Sequence, residues 1–311
     1  MSRRAAIVTG CLLIALVAWT GGAGNLANTQ TEQSVTSIPD LSGLEWVEGD
    51  TFLAVHDAKN PEELDRPRVS LLRLPKSLDG IAWTSFNLKW PEPLGPSGDL
   101  ESIARIPGTD LFLLVESGES QLAGRRLNRV FLIKIENSQP ILDSFVHLPQ
   151  MFKNIEGSAV AKIGDRFVII CIERGDHRAV TEVYWSYLQL NPLRFGSFQK
   201  AYFRPSGFAG RNKRPVTAVE IDSRNRVYVA SAYDPEDDNG PFRSVIWSAG
   251  RITADRKGGP VFQLRPVRLA TLDGLKVESL AIRESNGKLE LFAGTDDENY
   301  GGVLRPIPLV P

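Results

Sequence analysis

The chain has 311 residues, with 36 Lys and Arg against 37 Asp and Glu and a net charge of −1. This balance argues against a nucleic-acid-binding protein, whose phosphate contacts need a net basic face. Two cysteines exclude a disulfide-rich scaffold, and the segment RFVIICIE around Cys171 predicts a buried thiol rather than a nucleophile.

The first predicted element is a secretory signal peptide over residues 1–27. Arg3 and Arg4 precede an apolar run over residues 5–19, and small residues follow, an order typical of such a peptide. An uncleaved membrane anchor is the alternative, since the run approaches the length that spans a bilayer. Cleavage removes both arginines and no acid, so the remaining domain, 28–311, has a net charge of −3. We therefore expect an exported protein, periplasmic or extracellular, with no membrane segment after cleavage.

Five related segments repeat along the rest of the chain, with starts separated by 59, 55, 61 and 61 residues. They are LSGLEW from Leu41, LESIAR from Leu100, IEGSAV from Ile155, VTAVEI from Val216 and VESLAI from Val277. Each is followed by a polar turn and a second apolar run. Further strand-like runs come next, such as RVFLIKIE and EVYWSYLQL. A period of this kind sets the fold, because each repeat is one supersecondary unit.

Alternating β-branched and aromatic residues bounded by turn residues predict strands. Four antiparallel strands per repeat, arranged radially, predict an all-β protein with a single five-bladed β-propeller. Six blades need an unrecognised blade for which the chain has no room, and a twin β-sandwich does not account for five matched copies. The last repeat has three strands, so residues 32–39, EQSVTSIP, are expected to add its fourth strand and close the ring.

Carboxylates recur at two positions of the repeat. The second residue of the first strand reads Ser42, Glu101, Glu156, Thr217 and Glu278. The end of the second strand reads Asp57, Glu116, Glu173, Asp234 and the pair Asp296 and Asp297. In a propeller blade these two positions lie on the same face, so the acids are expected around one mouth of the central channel. The candidate metal ligands are Glu101, Glu156, Glu278, Asp57, Glu116, Glu173, Asp296 and Asp297.

Crowded carboxylates repel one another unless they are protonated or paired with cations. A hard cation resolves the conflict, and Ca²⁺ takes about six to eight oxygen ligands. Zinc is disfavoured because the histidines of the mature chain, His56, His147 and His177, form no ligand-spaced pair. The alternative is that the glutamates cap strand amides and pair with arginines.

Basic residues are expected on the same face. Guanidinium groups suit phosphate and carboxylate equally well, so the sequence predicts a small anionic or phosphorylated ligand, with a protein partner as the alternative. The candidate ligand-binding residues are Arg125, Arg126, Arg174, Arg211, Lys213 and Arg214.

The starts DLESIA, NIEGSA and KVESLA, together with GTDDENYGG, resemble the phytase-like β-propeller group over residues 38–305. That group includes calcium-dependent phytases and the domain called "esterase-like activity of phytase". The resemblance implies an exported, calcium-binding propeller that acts on or binds a phosphorylated ligand. It also implies central ligands at Glu101, Glu156 and Glu278, with Asp296 and Asp297 at the mouth.

The chain departs from that group in two ways. Ser42 and Thr217 stand where the pattern has Glu, and we count five blades where phytase propellers have six. Two functions therefore stay open. One is a metal-dependent hydrolase of phosphate or ester bonds, favoured by the crowded carboxylates. The other is a non-catalytic binding propeller, favoured because the sequence shows no complete nucleophile–base pair.

Overall fold

In a computed structural model, the described residues are 32–33, 38–58, 66–75, 80–122, 124–174, 180–205, 213–296 and 298–308, with backbone alone at 32, 33, 122, 125 and 213. The expected signal peptide lies outside these residues. Within them, no helix has the length and apolar character needed to cross a membrane. The helical content of the described residues is one 3₁₀ turn, Glu298–Tyr300.

The strands form five antiparallel sheets in a propeller arrangement, which confirms the predicted fold class. Blade 1 carries a short outermost strand and four blade strands: β1 Glu32–Gln33, β2 Gly43–Glu48, β3 Thr51–Val55, β4 Val69–Arg73 and β5 Ala82–Phe86. Blade 2 has four strands and a small hairpin in one loop: β6 Leu100–Arg105, β7 Leu111–Glu116, β8 Gln121–Leu122, β9 Arg125–Arg126, β10 Arg129–Glu136 and β11 Gln139–His147.

In blade 3 the outer position is shared by two short strands that both pair with the third strand. Its strands are β12 Ile155–Ile163, β13 Arg166–Glu173, β14 Thr181–Leu190, β15 Leu193–Phe195 and β16 Gln199–Phe203. Blade 4 comprises β17 Lys213–Ile221, β18 Arg226–Tyr233, β19 Arg243–Ala254 and β20 Pro260–Asp273. Blade 5 has three strands among the described residues: β21 Val277–Ser285, β22 Lys288–Thr295 and β23 Leu304–Pro306.

Tight turns set the register of the hairpins. Asn286 and Gly287 join β21 to β22, and Asn137 and Ser138 join β10 to β11, all four with positive φ. Two-residue turns of this conformation match the twist of antiparallel strands.

The first strands of the five blades pack side by side in a closed ring, in the order β2, β6, β12, β17, β21 and back to β2. A separate cluster of buried apolar side chains fills each of the five junctions between neighbouring blades. At the closing junction, the rings of Phe52 and Phe292 lie 4.9 Å apart. Burial between blades therefore holds the ring together and leaves the first strands lining the channel.

The N-terminal closure differs in detail from the prediction. Glu32 and Gln33 pair with β5 at the outer edge of blade 1, not with blade 5. Contact with blade 5 is made by Ile38, which forms a backbone bridge to Gly302 and packs into the closing junction. Residues 34–37 lie outside the described part of the chain.

Candidate functional site

A cavity of about 360 Å³ opens at the predicted mouth of the channel, where first strands begin and second strands end. Its described lining is strongly charged. The carboxylates are Asp40, Asp57, Asp99, Glu101, Glu119, Glu278, Asp296 and Glu298, and the cations are Arg174, Arg214 and Lys276. With carboxylates outnumbering cations, this mouth is electronegative.

The repeated glutamates owe their position to a shared irregularity of the strands. Backbone pairing of the first and second strands skips Glu101, Glu156 and Glu278, each of which lies at a β-bulge. A bulge leaves one residue out of the ladder and re-aims its side chain. This explains why an acid can begin a strand that is otherwise apolar.

On the side of blades 1 and 2, three carboxylates form an acidic corner. Oxygens of Asp57, Asp99 and Glu101 all lie within 4.8 Å of one another. Asp99 accepts hydrogen bonds from the Ser117 hydroxyl and, at 3.3 Å, from the Ser120 amide. Burial raises the pKa of Glu101 well above its ordinary value, and the charges of Glu156, Asp99 and Asp57 raise it further. The corner therefore favours a bound proton or cation.

The composition of the acidic corner fits a hard cation. Carboxylate oxygens are the ligands that Ca²⁺ prefers, and its coordination sphere is completed by water or by further oxygens such as those of a ligand. Zinc does not fit, because no described histidine lines the cavity, and His56, which directly precedes Asp57, is engaged elsewhere. Its ring nitrogens bond to the Asp40 carbonyl and the Ser70 hydroxyl, both at 2.7 Å.

On the side of blades 4 and 5, Lys276 occupies the centre of a second group of carboxylates. Its side chain is 1% exposed, and its Nζ lies 3.0 Å from Asp296, 3.3 Å from Glu278 and 3.6 Å from Asp234. Glu298 is a fourth partner. Burial works against the charge, but these acids raise the pKa of Lys276 above its ordinary value. The ammonium group is thus a cation supplied by the chain itself.

Arg214 joins the same network from blade 4. Its guanidinium lies 2.8 Å from Glu278 and 2.7 Å from Asp234. Burial raises the pKa of Glu278 to about 7, with Lys276 and Arg214 working in the opposite direction. In blade 3, Arg174 pairs with the buried Glu156 at 2.6 Å. Of the three bulge glutamates, Glu156 and Glu278 therefore have cationic partners. Glu101 has no hydrogen-bond or ion-pair donor among the described residues.

Two predicted metal ligands lie elsewhere. Glu116 is fully buried and holds Arg129 through its guanidinium, at 2.6 Å for the shortest contact, and through its backbone amide. Glu173 accepts the amide of Lys153 at 2.6 Å and does not line the cavity. Neither lines the cavity, and the difference from the expected position has the same reason for both. Backbone pairing aligns them with His56, one residue before Asp57, and successive strand residues point to opposite sides.

The predicted basic residues also divide. Arg174 and Arg214 line the cavity. Arg126 does not line the cavity; it donates to the carbonyls of Gly118 and Lys153. The remaining predicted side chains lie outside the described part of the chain: Arg125, Arg211, Lys213 and Asp297.

Lys276 was missed by the sequence analysis. A signal was present. Two residues before the repeat position occupied by Ser42, Glu101, Glu156, Thr217 and Glu278, the five repeats read Asp40, Asp99, Asn154, Pro215 and Lys276. Because equivalent repeat positions lie at the same level of the ring, the lysine is expected level with two aspartates beside the mouth.

Comparison with solved structures finds chains of similar overall shape. One is an exo-1,5-α-L-arabinanase from a bovine ruminal metagenomic library, with 11% identity and a TM-score of 0.48 over 88% of this chain and 94% of that chain. Another is a GH43 endo-arabinanase from Bacillus licheniformis, with 13% identity and a TM-score of 0.48 over 89% of this chain and 96% of that chain. A third is a mutant α-L-arabinanase from Cellvibrio cellulosa, with 14% identity and a TM-score of 0.46 over 88% and 92%.

At these identities and TM-scores the likeness bears on neither the reaction nor the substrate. No protein-family model matches the sequence, and no curated protein matches it. The resemblance to phytase-like propellers therefore stays a prediction from short motifs, while the five-bladed fold is established by the strands themselves.

Proposed function

We propose that the mouth binds a divalent hard cation, Ca²⁺ in the first place, in the acidic corner of Asp57, Asp99 and Glu101, and that the protein is a metal-dependent hydrolase of phosphate or ester bonds. The observation that carries the proposal is the meeting of these three carboxylates within 4.8 Å. Burial and like charge disfavour the ionised form of Glu101, and a divalent cation relieves both penalties.

The chemistry follows from what lies around the corner. A cation bound there would polarise a substrate oxygen and acidify a water molecule. Arg174 and Arg214 line the same cavity and offer guanidinium donors to the anionic end of a substrate. To do so they exchange part of their contact with Glu156 and Glu278, so substrate affinity depends on how readily those ion pairs open.

The sequence adds two further elements to the proposal. Glu101 belongs to the motif DLESIA that resembles the phytase-like group, which favours a phosphorylated substrate. Residues 1–27 have the pattern of a signal peptide, so we propose that the hydrolase works outside the cytoplasm.

A non-catalytic binding propeller is the second candidate. The observation in its favour is that all three cations lining the cavity in the described structure, Arg174, Arg214 and Lys276, are ion-paired with carboxylates. Because these positive charges are already paired with carboxylates, the mouth suits a ligand that brings its own cation.

Cation binding is tested first, by thermal unfolding of chelator-treated protein with and without millimolar calcium. A ligand bound only by the folded state stabilises it by about 2.7 kcal/mol at a concentration near 100 Kd. We expect a higher Tm for the wild type with calcium, and loss of that shift in Glu101→Gln and Asp57→Asn. Glu173→Gln is the matched control, because Glu173 lies outside the cavity, and it should keep the shift. An equal shift in wild type and Glu101→Gln would place the cation elsewhere.

Hydrolysis is tested with phosphomonoester, phosphodiester and carboxylester substrates, with calcium and with chelator. The hydrolase predicts turnover that chelator abolishes, a lower kcat for Glu101→Gln, and chiefly a higher KM for Arg174→Ala. A calcium-dependent Tm shift without turnover on any substrate selects the binding propeller.

A further inference from the structure

A separate pair of acids, Glu45 and Glu220, lies in the channel, towards the end opposite the acidic mouth. Three residues after the repeat position of Ser42, Glu101, Glu156, Thr217 and Glu278, the first strands read Glu45, Ala104, Ala159, Glu220 and Ala281. Blades 1 and 4 are not neighbours in the ring, so Glu45 and Glu220 approach each other across the channel rather than along a sheet. Both are 5% exposed and line one cavity of about 240 Å³.

The two carboxyl groups receive different numbers of hydrogen bonds. Glu45 accepts backbone amides on both oxygens, from Trp46 at 3.0 Å and from Arg105 at 2.9 Å. Glu220 accepts one, from Ile221 at 2.6 Å on Oε1. Its Oε2 is buried and has no hydrogen-bond donor among the described residues. Two facing acceptors cannot bond to each other unless one of them carries a proton.

Two charged groups near the pair, Arg105 and Asp222, are engaged elsewhere. The Arg105 guanidinium donates to the carbonyls of Thr109, Trp46 and Val47, and Asp222 is held by Arg226. No ion pair to Glu45 or Glu220 forms within the described structure. The charged or titratable side chains around the pair are Arg105 from β6, Lys162 from β12, Asp222 after β17, Arg226 and Tyr228 from β18, and Glu284 from β21.

We infer that Glu45 and Glu220 share one proton, held on Oε2 of Glu220 and donated to the Glu45 carboxylate, and that this proton latches blade 1 to blade 4 across the channel. The backbone amides decide its place, because they stabilise the ionised form of Glu45 more than that of Glu220. The shared proton satisfies Glu220 Oε2, the one carboxyl oxygen of the pair that otherwise has no hydrogen-bond partner in the described structure.

The direction of the pH dependence follows from burial. Burial raises the pKa of Glu45 to about 7 and that of Glu220 well above its ordinary value. A carboxyl whose pKa is higher in the folded than in the unfolded state stabilises the fold at low pH, and this contribution is lost as the pH rises through the folded value. As the pH rises, Glu45 ionises first and Glu220 keeps the shared proton. Above the higher pKa of Glu220 both groups are ionised and repel, which opens the latch.

The test compares the full chain with Glu220→Gln, Glu45→Gln and the double variant, by thermal unfolding between pH 5.5 and 9. Gln at position 220 is a permanent neutral donor. We expect the decline of the wild-type Tm above neutral pH to be about halved or more in Glu220→Gln. Infrared difference spectra at pH 8, where Glu45 is ionised and Glu220 keeps the shared proton, should show one protonated carboxyl band lost in Glu220→Gln. If that variant does not fold, Glu45→Gln serves, because it removes the same pair.

Glu278→Gln is the matched control, since Glu278 is another buried glutamate but lies at the mouth. It should keep the band that Glu220→Gln loses. Equal alkaline Tm declines in wild type and Glu220→Gln, or an unchanged band, would overturn the shared proton. A failed calcium experiment at the mouth would leave this result untouched, because the three-carboxylate corner and the Glu45–Glu220 pair lie at different levels of the channel.

Discussion

Lys276 holds Asp296 at 3.0 Å inside the mouth, although only 1% of the lysine side chain is exposed. The same Nζ lies within reach of Glu278, Asp234 and Glu298. This ammonium is therefore the common partner of the four described acids that surround it at the mouth.

Replacing Lys276 by Met should be strongly destabilising. The variant keeps the length of the side chain but leaves the surrounding carboxylates facing one another, and breaking a buried pair costs about 3–5 kcal/mol. Denaturant unfolding measures the loss. Lys288→Met is the control, because Lys288 is exposed and pairs with Glu290 at the surface. Equal stability of the two variants would show that Lys276 does not hold the mouth together. Added calcium should recover part of the loss only in Lys276→Met, since the vacated carboxylates can accept a cation.

Glu116→Gln should separate a structural acid from the cation site. Arg129 is fully buried against Glu116, so removing the carboxylate leaves an uncompensated guanidinium and costs about 3–5 kcal/mol. The calcium-dependent shift in Tm should nevertheless remain, because Glu116 does not line the cavity. If Glu116→Gln kept wild-type stability but lost the calcium-dependent shift in Tm, Glu116 would be a ligand at the mouth instead of a partner of Arg129.

Gly43→Ala should disturb the contact between blades 1 and 2. A Cβ at this position would lie 2.9 Å from the backbone of Ser102 and Ile103, and closer still to the side chain of Val55. Overpacking of this kind typically costs about 1–3 kcal/mol. Gly80→Ala is the control, because nothing lies within 4 Å of the added atom and its φ is not positive. Matching melting temperatures for the two variants would mean that the first strands are less closely packed than described.

His56 should make the protein sensitive to acid. Burial lowers the pKa of His56 to about 4, whereas the unfolded imidazole takes up its proton near its ordinary value, about 6.5. Stability is therefore lost as the pH falls through this interval, by about 3 kcal/mol in all. Unfolding free energies at pH 7 and pH 4.5 should differ less in His56→Gln than in wild type, with exposed His147→Gln as control. Parallel losses in all three proteins would exclude the buried imidazole as the cause.

Much of the fold could be predicted because the repeat is visible as a pattern of apolar residues. The five first strands begin at or near the predicted segments, and the side chains that fill the junctions are those of the alternating runs. The end of each second strand was harder. A shift of one residue between Glu116 and Asp57 reverses the direction of the side chain, and only the observed pairing reveals it.

The candidate site was predicted in part. Glu101 and Asp57 were placed correctly at the mouth because they follow the repeat. Lys276 was overlooked since a lysine was not expected among acids, and its burial depends on partners from three separate segments, at Asp234, Glu278 and Asp296 to Glu298. The bulges were also beyond the sequence reading, because a bulge is a property of paired strands.

The bulges at Glu101, Glu156 and Glu278 have a consequence for how such a protein can change over time. A residue skipped by the ladder makes no cross-strand backbone contact of its own, so exchanging its side chain leaves the strand pairing intact. Each of these three blades thus presents one position to the channel that can change without altering the backbone ladder. New ligand preferences can arise there by single substitutions, without changes to the propeller that carries them.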